Sequence, residues 1–292
     1  MAAPPAQAHS ERDPSHPGAL PASERARNKT DPHQPATAYA MKTTDCARAA
    51  EMLLEARATR GWLDALPDGA QPASETEAYA IQDMVARRLG PIVGWKVGSA
   101  TLDSEPFRAP IHEATLRIED PRLPADLFHV IGVEAEIVYR FARDLPPRAT
   151  PYARDEVLAA VGSMHPAVEI VDTRFSAFGS VDALNQRADQ QNHGALSVGP
   201  ALQNWSPVDP VRQPVRLTIN GTVRFDGIGE NSAVDPVRLL VWMANHGTHA
   251  LGGLRAGHVV TTGSCTGTIF IEPGTHIAAA FPGLGAIEIE IS

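Results

Sequence analysis

The chain has 292 residues, 43% of them apolar and 20% charged, enough for one large domain or two small ones with a sizeable core. Its formal net charge of −9 argues against the clustered positive surface of a nucleic-acid or anionic-membrane binder. No run approaches the roughly 18 apolar residues of a spanning helix, the start lacks the apolar core of a secretory signal, and Cys46 and Cys265 stand far apart, as reduced thiols of a cytoplasmic protein would.

Residues 1–42 are rich in Pro, Ala, Ser, His and charge and offer almost nothing to bury, so they are expected to be a disordered tail, with Met41 as an alternative start. A helical segment follows over residues 43–90. Thr44 or Asp45 can cap a helix whose apolar positions Ala49, Met52, Leu53 and Ala56 recur at helical spacing, and Gly61 would stop it. Ser74-Glu75-Thr76-Glu77 has the form of a capping box opening a second helix to Leu89. After Gly90 the period becomes strand-like, and residues 91–292 read as a largely β domain. Strands are expected at Ile92 to Gly98, Val133 to Phe141 and Ala167 to Val171, with a helix over Arg154 to Ala160. Asn220-Gly221 between two β-rich runs predicts a hairpin, because a type I′ turn needs positive φ at both central residues. Asp235-Pro236 opens a helix expected to reach His249, and Gly252-Gly253 ends it. Short strands at Gly257 to Gly263, His276 to Phe281 and Ala286 to Ile291 complete the chain.

Of 25 basic residues only Lys29, Lys42 and Lys96 are lysines. Surface charge here is supplied by arginine, so an isolated lysine inside a strand is a candidate for chemistry that needs a proton to come and go. Chance retention at a solvated position explains it equally well.

Glu134 and Glu136 are two apart in a strand and project to one face, opposite Val133, Ala135 and Ile137. At ~6 Å and an effective dielectric near 20, two carboxylates repel by roughly 3 kcal/mol, tolerable if a cation sits between them or water bathes them. Glu169 is a third acid, inside the apolar run Ala167 to Val171. Three carboxylates without a nearby cysteine favour a hard ion, Mg²⁺ or Mn²⁺. The bland alternative is two solvated glutamates and a buried Glu169 paired to Arg174. Glu288-Ile289-Glu290 has the same spacing and reads as an ordinary solvent face. His246 with His249, Gly227-Ile228-Gly229 and Gly263-Ser264-Cys265-Thr266-Gly267 each lack the context that a zinc site, a nucleotide loop or a nucleophile elbow requires.

Taken in order, Gly94-Trp95-Lys96-Val97-Gly98, Val133-Glu134-Ala135-Glu136, Arg143-Asp144-Leu145-Pro146, Ala167-Val168-Glu169 through Asp172-Thr173-Arg174, Asn192 with Gly194, and Gly257 through Ser264 form a series. This series resembles the 2-keto-4-pentenoate hydratase family of the fumarylacetoacetate hydrolase superfamily, from about residue 45 to the C-terminus. The resemblance implies an α+β fold, a mixed β-roll catalytic domain preceded by a short helical segment, in a homo-oligomer. It implies a divalent ion held by Glu134, Glu136 and Glu169, and Lys96 as the active-site lysine. One stretch departs from the family. Where the hydratases carry an acid in a Pro-Asp-Phe-Gly-like segment, this chain reads Ser104-Glu105-Pro106-Phe107-Arg108-Ala109-Pro110. Glu105, or His112 beside Glu113, is the candidate replacement for water activation.

The expected partner is a small 2-oxo acid, with no nucleic acid and no membrane. Such an acid can chelate a metal through its carboxylate and keto oxygens, and the dication then stabilises an enolate. Lys96 would shuttle the proton or hold the carboxylate, Asn192 and Ser264 would hydrogen-bond substrate, and Arg174 would contact substrate or position Glu169. Hydration, decarboxylation and C–C hydrolysis all share that enolate, so the metal site does not separate them; the resemblance implies a lyase, a hydratase or decarboxylase of small 2-oxo or 2-hydroxy-alkenoic acids. An acylpyruvate-type C–C hydrolase, or a degenerate metabolite-binding member of the family, is the alternative.

Overall fold

Two apolar stripes set the first structural unit. A computed structural model of the chain describes residues 42–292; the expected tail at 1–42 lies, but for Lys42, outside the described residues. Helix α1 (Thr43–Thr59) buries Ala49, Leu53 and Ala56 along one side. It ends one residue before the expected glycine: Arg60 itself takes the left-handed conformation at φ 56°, and its N–H returns to the Ala56 carbonyl. Helix α2 (Glu75–Leu89) is capped by Ser74, whose hydroxyl accepts from the Glu77 amide at 3.3 Å. Glu77 reaches back to the amide of Ala73 rather than of Ser74, at 2.8 Å, so the reciprocal half of the box lands one residue early. Leu53, Leu66, Ile81, Val85 and Phe175 close a small core between the two helices and the sheet domain.

The sheet domain is built from β1 (Ile92–Gly98), β2 (Phe107–His112), β3 (Leu116–Ile118), β4 (Arg122–Leu123), β5 (Gly132–Phe141), β6 (Val161–Val171), β7 (His193–Val198), β8 (Pro214–Ile219), β9 (Thr222–Ile228), β10 (Val259–Ser264), β11 (Ile269–Phe270), β12 (Thr275–Phe281) and β13 (Gly285–Ile291). Helices α3 (Arg154–Ala160), α4 (Ala183–Ala188) and α5 (Pro236–Trp242) lie between them. Eight strands form one mixed sheet in the order β2-β1-β10-β5-β6-β7-β3, with β11 also on β5. Five form a second, β4-β13-β12-β8-β9. One face of the larger sheet, carrying Trp95, Val133, Ala135, Ile137 and Ile170, packs on Leu217, Ile277, Ala279 and Ile289 of the smaller one and makes the main core. The larger sheet curls, bringing β2 against β7, and its opposite face encloses a minor cluster of Ile111, Val138, Ala167, Leu196, Val198 and Val259. This is the mixed β-roll with a helical lead. No helix among the described residues is long and apolar enough to cross a membrane.

The hairpin forms as its turn chemistry requires, with Asn220 at φ 49° and Gly221 at φ 75°. Gly94 lets β1 lie close along β10, since a Cβ there would meet the Val259 carbonyl at 2.7 Å. Three expectations change. Strand β6 is twice the expected length, because its residues are buried on both faces and show no alternation. Strand β2 carries Pro110 in mid-run, which hides it from a strand reading; β2 is an edge strand, where a missing N–H costs nothing. The helix after Pro236 stops being regular at Trp242 and continues as a π turn over Met243–Gly247 and a 3₁₀ turn over His249–Leu251. Thr248 causes the change: its amide and hydroxyl both bond the Met243 carbonyl, at 3.3 and 3.0 Å.

Candidate metal centre

Register brings the acids together. Antiparallel pairing of β5 with β6 sets Glu134 directly opposite Glu169, so both project to the enclosed face, and Glu136 follows two residues on. One ligand oxygen from each of Glu134, Glu136 and Glu169 lies within 4.8 Å of the others. Each carboxylate is tied from outside. Thr268 donates its hydroxyl to Glu134 and Thr261 its hydroxyl to Glu136, and the Gly263 amide reaches Glu136 at 3.2 Å. Glu169 is fully buried and accepts from Lys96 Nζ at 2.7 Å and from His193 Nδ1 at 2.9 Å, both on Oε1. Its other oxygen, Oε2, is buried with no hydrogen-bond partner.

That orphaned oxygen is the test of whether a cation fits. A buried carboxylate oxygen left unpaired costs several kcal/mol unless a ligand completes it. The carboxylate that carries it clusters with two more, all oxygen donors, the preference of Mg²⁺ and its hard relatives. The acid–base balance of the cluster agrees. Burial, then the charge of Glu169, pushes the Glu134 carboxyl above its ordinary range. Burial with Glu169 and Glu134 pushes Glu136 up further. Burial also opposes the Glu169 carboxylate, but Lys96 and the hydrogen bond from His193 outweigh it and hold the group low. Lys96 mirrors this: burial works against its ammonium, and the three glutamates outweigh burial and keep it cationic. Three carboxylates facing one ammonium leave excess negative charge that a dication would neutralise.

The acids line a cavity of about 220 Å³ whose other walls include Phe107, Phe178, Val171, Asn192 and Ser264. Lys96 enters from β1 and also donates to the Gln191 carbonyl at 3.1 Å. That carbonyl is presented by an unusual turn: Gln190, Gln191 and Asn192 have φ of 50°, 53° and 56°. Three successive non-glycine residues in the left-handed region cost on the order of 1 kcal/mol each, a strain held by the surrounding structure at the rim of the site.

The structure does not bring every sequence-predicted residue here. Glu105 is exposed and accepts from the Trp242 indole at 2.6 Å, outside the cavity. His112 is buried but lines a different cavity, between the Gly90 carbonyl and Gln190. Neither stands where it would activate water beside the glutamates, and adjacent Glu113 is exposed. Arg174 pairs with Asp189 at 2.6 Å and Asp172 at 3.3 Å, not with Glu169, and also lies off the cavity. Asp189 is distant in sequence, and both acids are nearer to it than the β6 face that carries Glu169.

Two groups at the site were not foreseen. His193 orients Glu169, with Nε2 against the Thr115 hydroxyl at 3.0 Å; its signal was a histidine flanked by Asn192 and Gly194 at the head of an apolar strand. The Gln191 carbonyl has no side-chain signature at all. Ser264 lies at the wall, its hydroxyl accepting from the Thr266 amide at 3.2 Å. Asn192 donates to Gln186 at 3.1 Å.

A curled mixed sheet with three carboxylates and a lysine on its enclosed face defines a class of small-molecule enzyme with a carboxylate cluster suited to a divalent ion. The family described as fumarylacetoacetate (FAA) hydrolase C-terminal matches residues 79–292, and the chain belongs to it. It is an enzyme of the hydratase and decarboxylase kind within that family. It is 26% identical to a 2-keto-4-pentenoate hydratase of Paraburkholderia xenovorans (strain LB400) over 254 residues, 83% of this chain and 93% of the relative. It is 27% identical to a 4-oxalocrotonate decarboxylase of Pseudomonas sp over 166 residues, 56% of this chain and 62% of the relative. The structure of 4-oxalocrotonate decarboxylase from Pseudomonas putida G7, complexed with magnesium and adipate, shares the fold, with a TM-score of 0.77, 21% identity, and 86% of this chain and 98% of that one covered.

Proposed function

We propose that the chain is a divalent-metal-dependent lyase acting on a small 2-oxo or 2-hydroxy-alkenoic acid, with Glu134, Glu136 and Glu169 holding the ion and Mg²⁺ as its natural occupant. The observation that carries this is the cluster of three carboxylates, in which Glu169 keeps a buried, unpartnered Oε2. The decarboxylase of Pseudomonas putida G7 has been seen with magnesium and with calcium, which supports a hard oxygen-seeking ion in this fold. When bound, the ion supplies positive charge for the carboxylate and 2-oxo oxygens of the substrate.

The chain's own residues supply the rest. Lys96, cationic beside Glu169, donates a proton toward the carbon that gains electron density and is reprotonated from water before the next turnover. His193 fixes the rotamer of Glu169 from behind. Ser264 and Asn192 stand at the wall for hydrogen bonds to substrate oxygens, while Phe107, Val171 and Phe178 form an apolar side for an alkenyl chain and exclude water.

The test is incubation of the purified protein with a 2-hydroxydienoate, a 2-oxo-enedioate and an acylpyruvate, before and after chelation. Turnover of one of the first two that EDTA abolishes and Mg²⁺ restores is the expected result. A hydroxylated 2-oxo acid as product identifies hydration, and CO₂ identifies decarboxylation. Turnover untouched by chelation overturns the metal role, and pyruvate released from the acylpyruvate alone overturns the lyase.

A further inference from the structure

The chain contains a second cavity, of about 230 Å³, lined by Gln190, whereas the next two residues of the same turn, Gln191 and Asn192, line the glutamate cavity. Its apolar wall includes Leu89, Leu123, Leu127 and Phe128. Its polar wall is basic: Arg57, Arg60, Arg117 and Arg174 all line it, with Asp172 as the acid among them.

Two of those guanidinium groups are spoken for. Arg60 pairs with Asp126 at the exposed end, and Arg174 takes Asp172 and Asp189. The remaining lone pairs of those two acids are also committed. Asp172 Oδ1 accepts from the amides of His129 and Val130 at 3.1 and 2.8 Å, and Asp189 Oδ2 from the amide of Arg174 at 2.9 Å. Arg57 is left with one neutral acceptor, Gln190 Oε1, at 2.9 Å. Arg117 is left with backbone carbonyls, those of Ala114 and Leu116, at 3.0 and 3.2 Å. Among the described residues neither forms an ion pair. Burial, and then repulsion from Arg174, draws Arg57 down to about 9, so Asp189 and Asp172 do not compensate its charge. His112 adds no positive charge, because burial pulls it down to about 4, and its two nitrogens are occupied by Gly90 and Gln190.

A cavity with one apolar wall and two guanidinium groups lacking carboxylates is complementary to an amphipathic anion. A planar carboxylate matches a guanidinium in two-point geometry, and its hydrocarbon body would cover the leucines and Phe128. We propose that this cavity is a second, non-catalytic site that binds a small organic carboxylate between Arg57 and Arg117. It shares no lining residue with the glutamate cavity.

The probe is benzoate, titrated calorimetrically into the full chain in Mg²⁺-containing buffer, with benzyl alcohol as the neutral counterpart. Benzoate is expected to bind at least tenfold more tightly than benzyl alcohol. Arg57→Gln and Arg117→Gln should each weaken benzoate at least tenfold, whereas Glu136→Gln in the other cavity should leave it unchanged. Ala114→Trp, made at an exposed position on the rim, fills the cavity without removing charge and should also block binding; it decides the matter if an arginine variant does not fold. Absence of benzoate binding overturns the proposal. So does binding lost with Glu136→Gln but kept in Arg117→Gln and Ala114→Trp, which would place benzoate among the glutamates.

Discussion

Glu134-Ala135-Glu136 and Glu288-Ile289-Glu290 share one pattern and have opposite fates. In both, the middle residue is buried in the main core and the two acids point away from it. On β13 the acids face water, with Ala278 and His276 of β12 across from Glu288 and Glu290. His276 stands 3.4 Å from Glu288, an exposed contact that contributes little. On β5 the same spacing lies at the centre of the curled sheet, with Glu169 across from Glu134 and Lys96 two strands away. The difference is made by the neighbours and by the curl. An alternating strand decides only that two carboxylates share a face; whether that face is wet or enclosed is decided by strands distant in sequence.

The sharpest way to break the comparison is Glu136→Gln. Its amide keeps the size of the carboxyl and can still accept from Thr261 and Gly263. One anionic donor to the ion is lost, and with it several kcal/mol of charge stabilisation, so turnover should fall by about 10³-fold or more while the melting temperature stays within a few degrees. Steady-state kinetics at saturating Mg²⁺ with a parallel thermal melt measures both. Near-normal turnover would make the β5 pair as idle as the β13 pair.

The same rule decides which of these residues a sequence exposes. The alternation of β5 exposed Glu134 and Glu136 as a pair, and the apolar setting of Glu169 marked it as a third. The scarcity of lysine pointed to Lys96. The failures all concern what lies across a long separation or in the backbone. Arg174 is five residues from Glu169 in sequence, yet Asp189 folds back onto it through the α4 turn. Glu105 and His112 are the candidates to replace the acid missing from the stretch that departs from the family, but Glu105 is exposed ahead of β2 and β2 carries His112 into the second cavity. The left-handed turn at Gln190–Asn192 has no glycine to announce it. His193 sits at the start of a strand buried on both faces, where no period separates a functional side chain from a packed one.

His193 therefore offers a test of intermediate size. It touches Glu169 but does not line the cavity with the acids. His193→Asn should leave the three carboxylates in place and free Glu169 to rotate, weakening Mg²⁺ by about 10–100-fold. Turnover at saturating Mg²⁺ should recover most of the loss, a split that a general packing defect would not produce. Titration of Mg²⁺ against rate separates the two; a loss that excess Mg²⁺ leaves untouched would give His193 a different task.

The smallest effect belongs to the mirror pattern, and it is the most exposed to refutation because it predicts nothing. Glu288→Gln with Glu290→Gln removes the same two charges, at the same spacing, from β13. Both side chains are exposed and neither faces a carboxylate across the sheet. Exposed substitutions away from a cap, a core or a network change stability within about 0.5 kcal/mol, so the urea midpoint, the Mg²⁺ dependence and the rate should all match the parent chain. A measurable drop in Mg²⁺ affinity would show that the long-range field of the acidic chain, rather than the enclosed cluster, attracts the ion. In that case raising the ionic strength should abolish the difference, since exposed charges beyond ~8 Å are screened at physiological salt while the buried cluster is not.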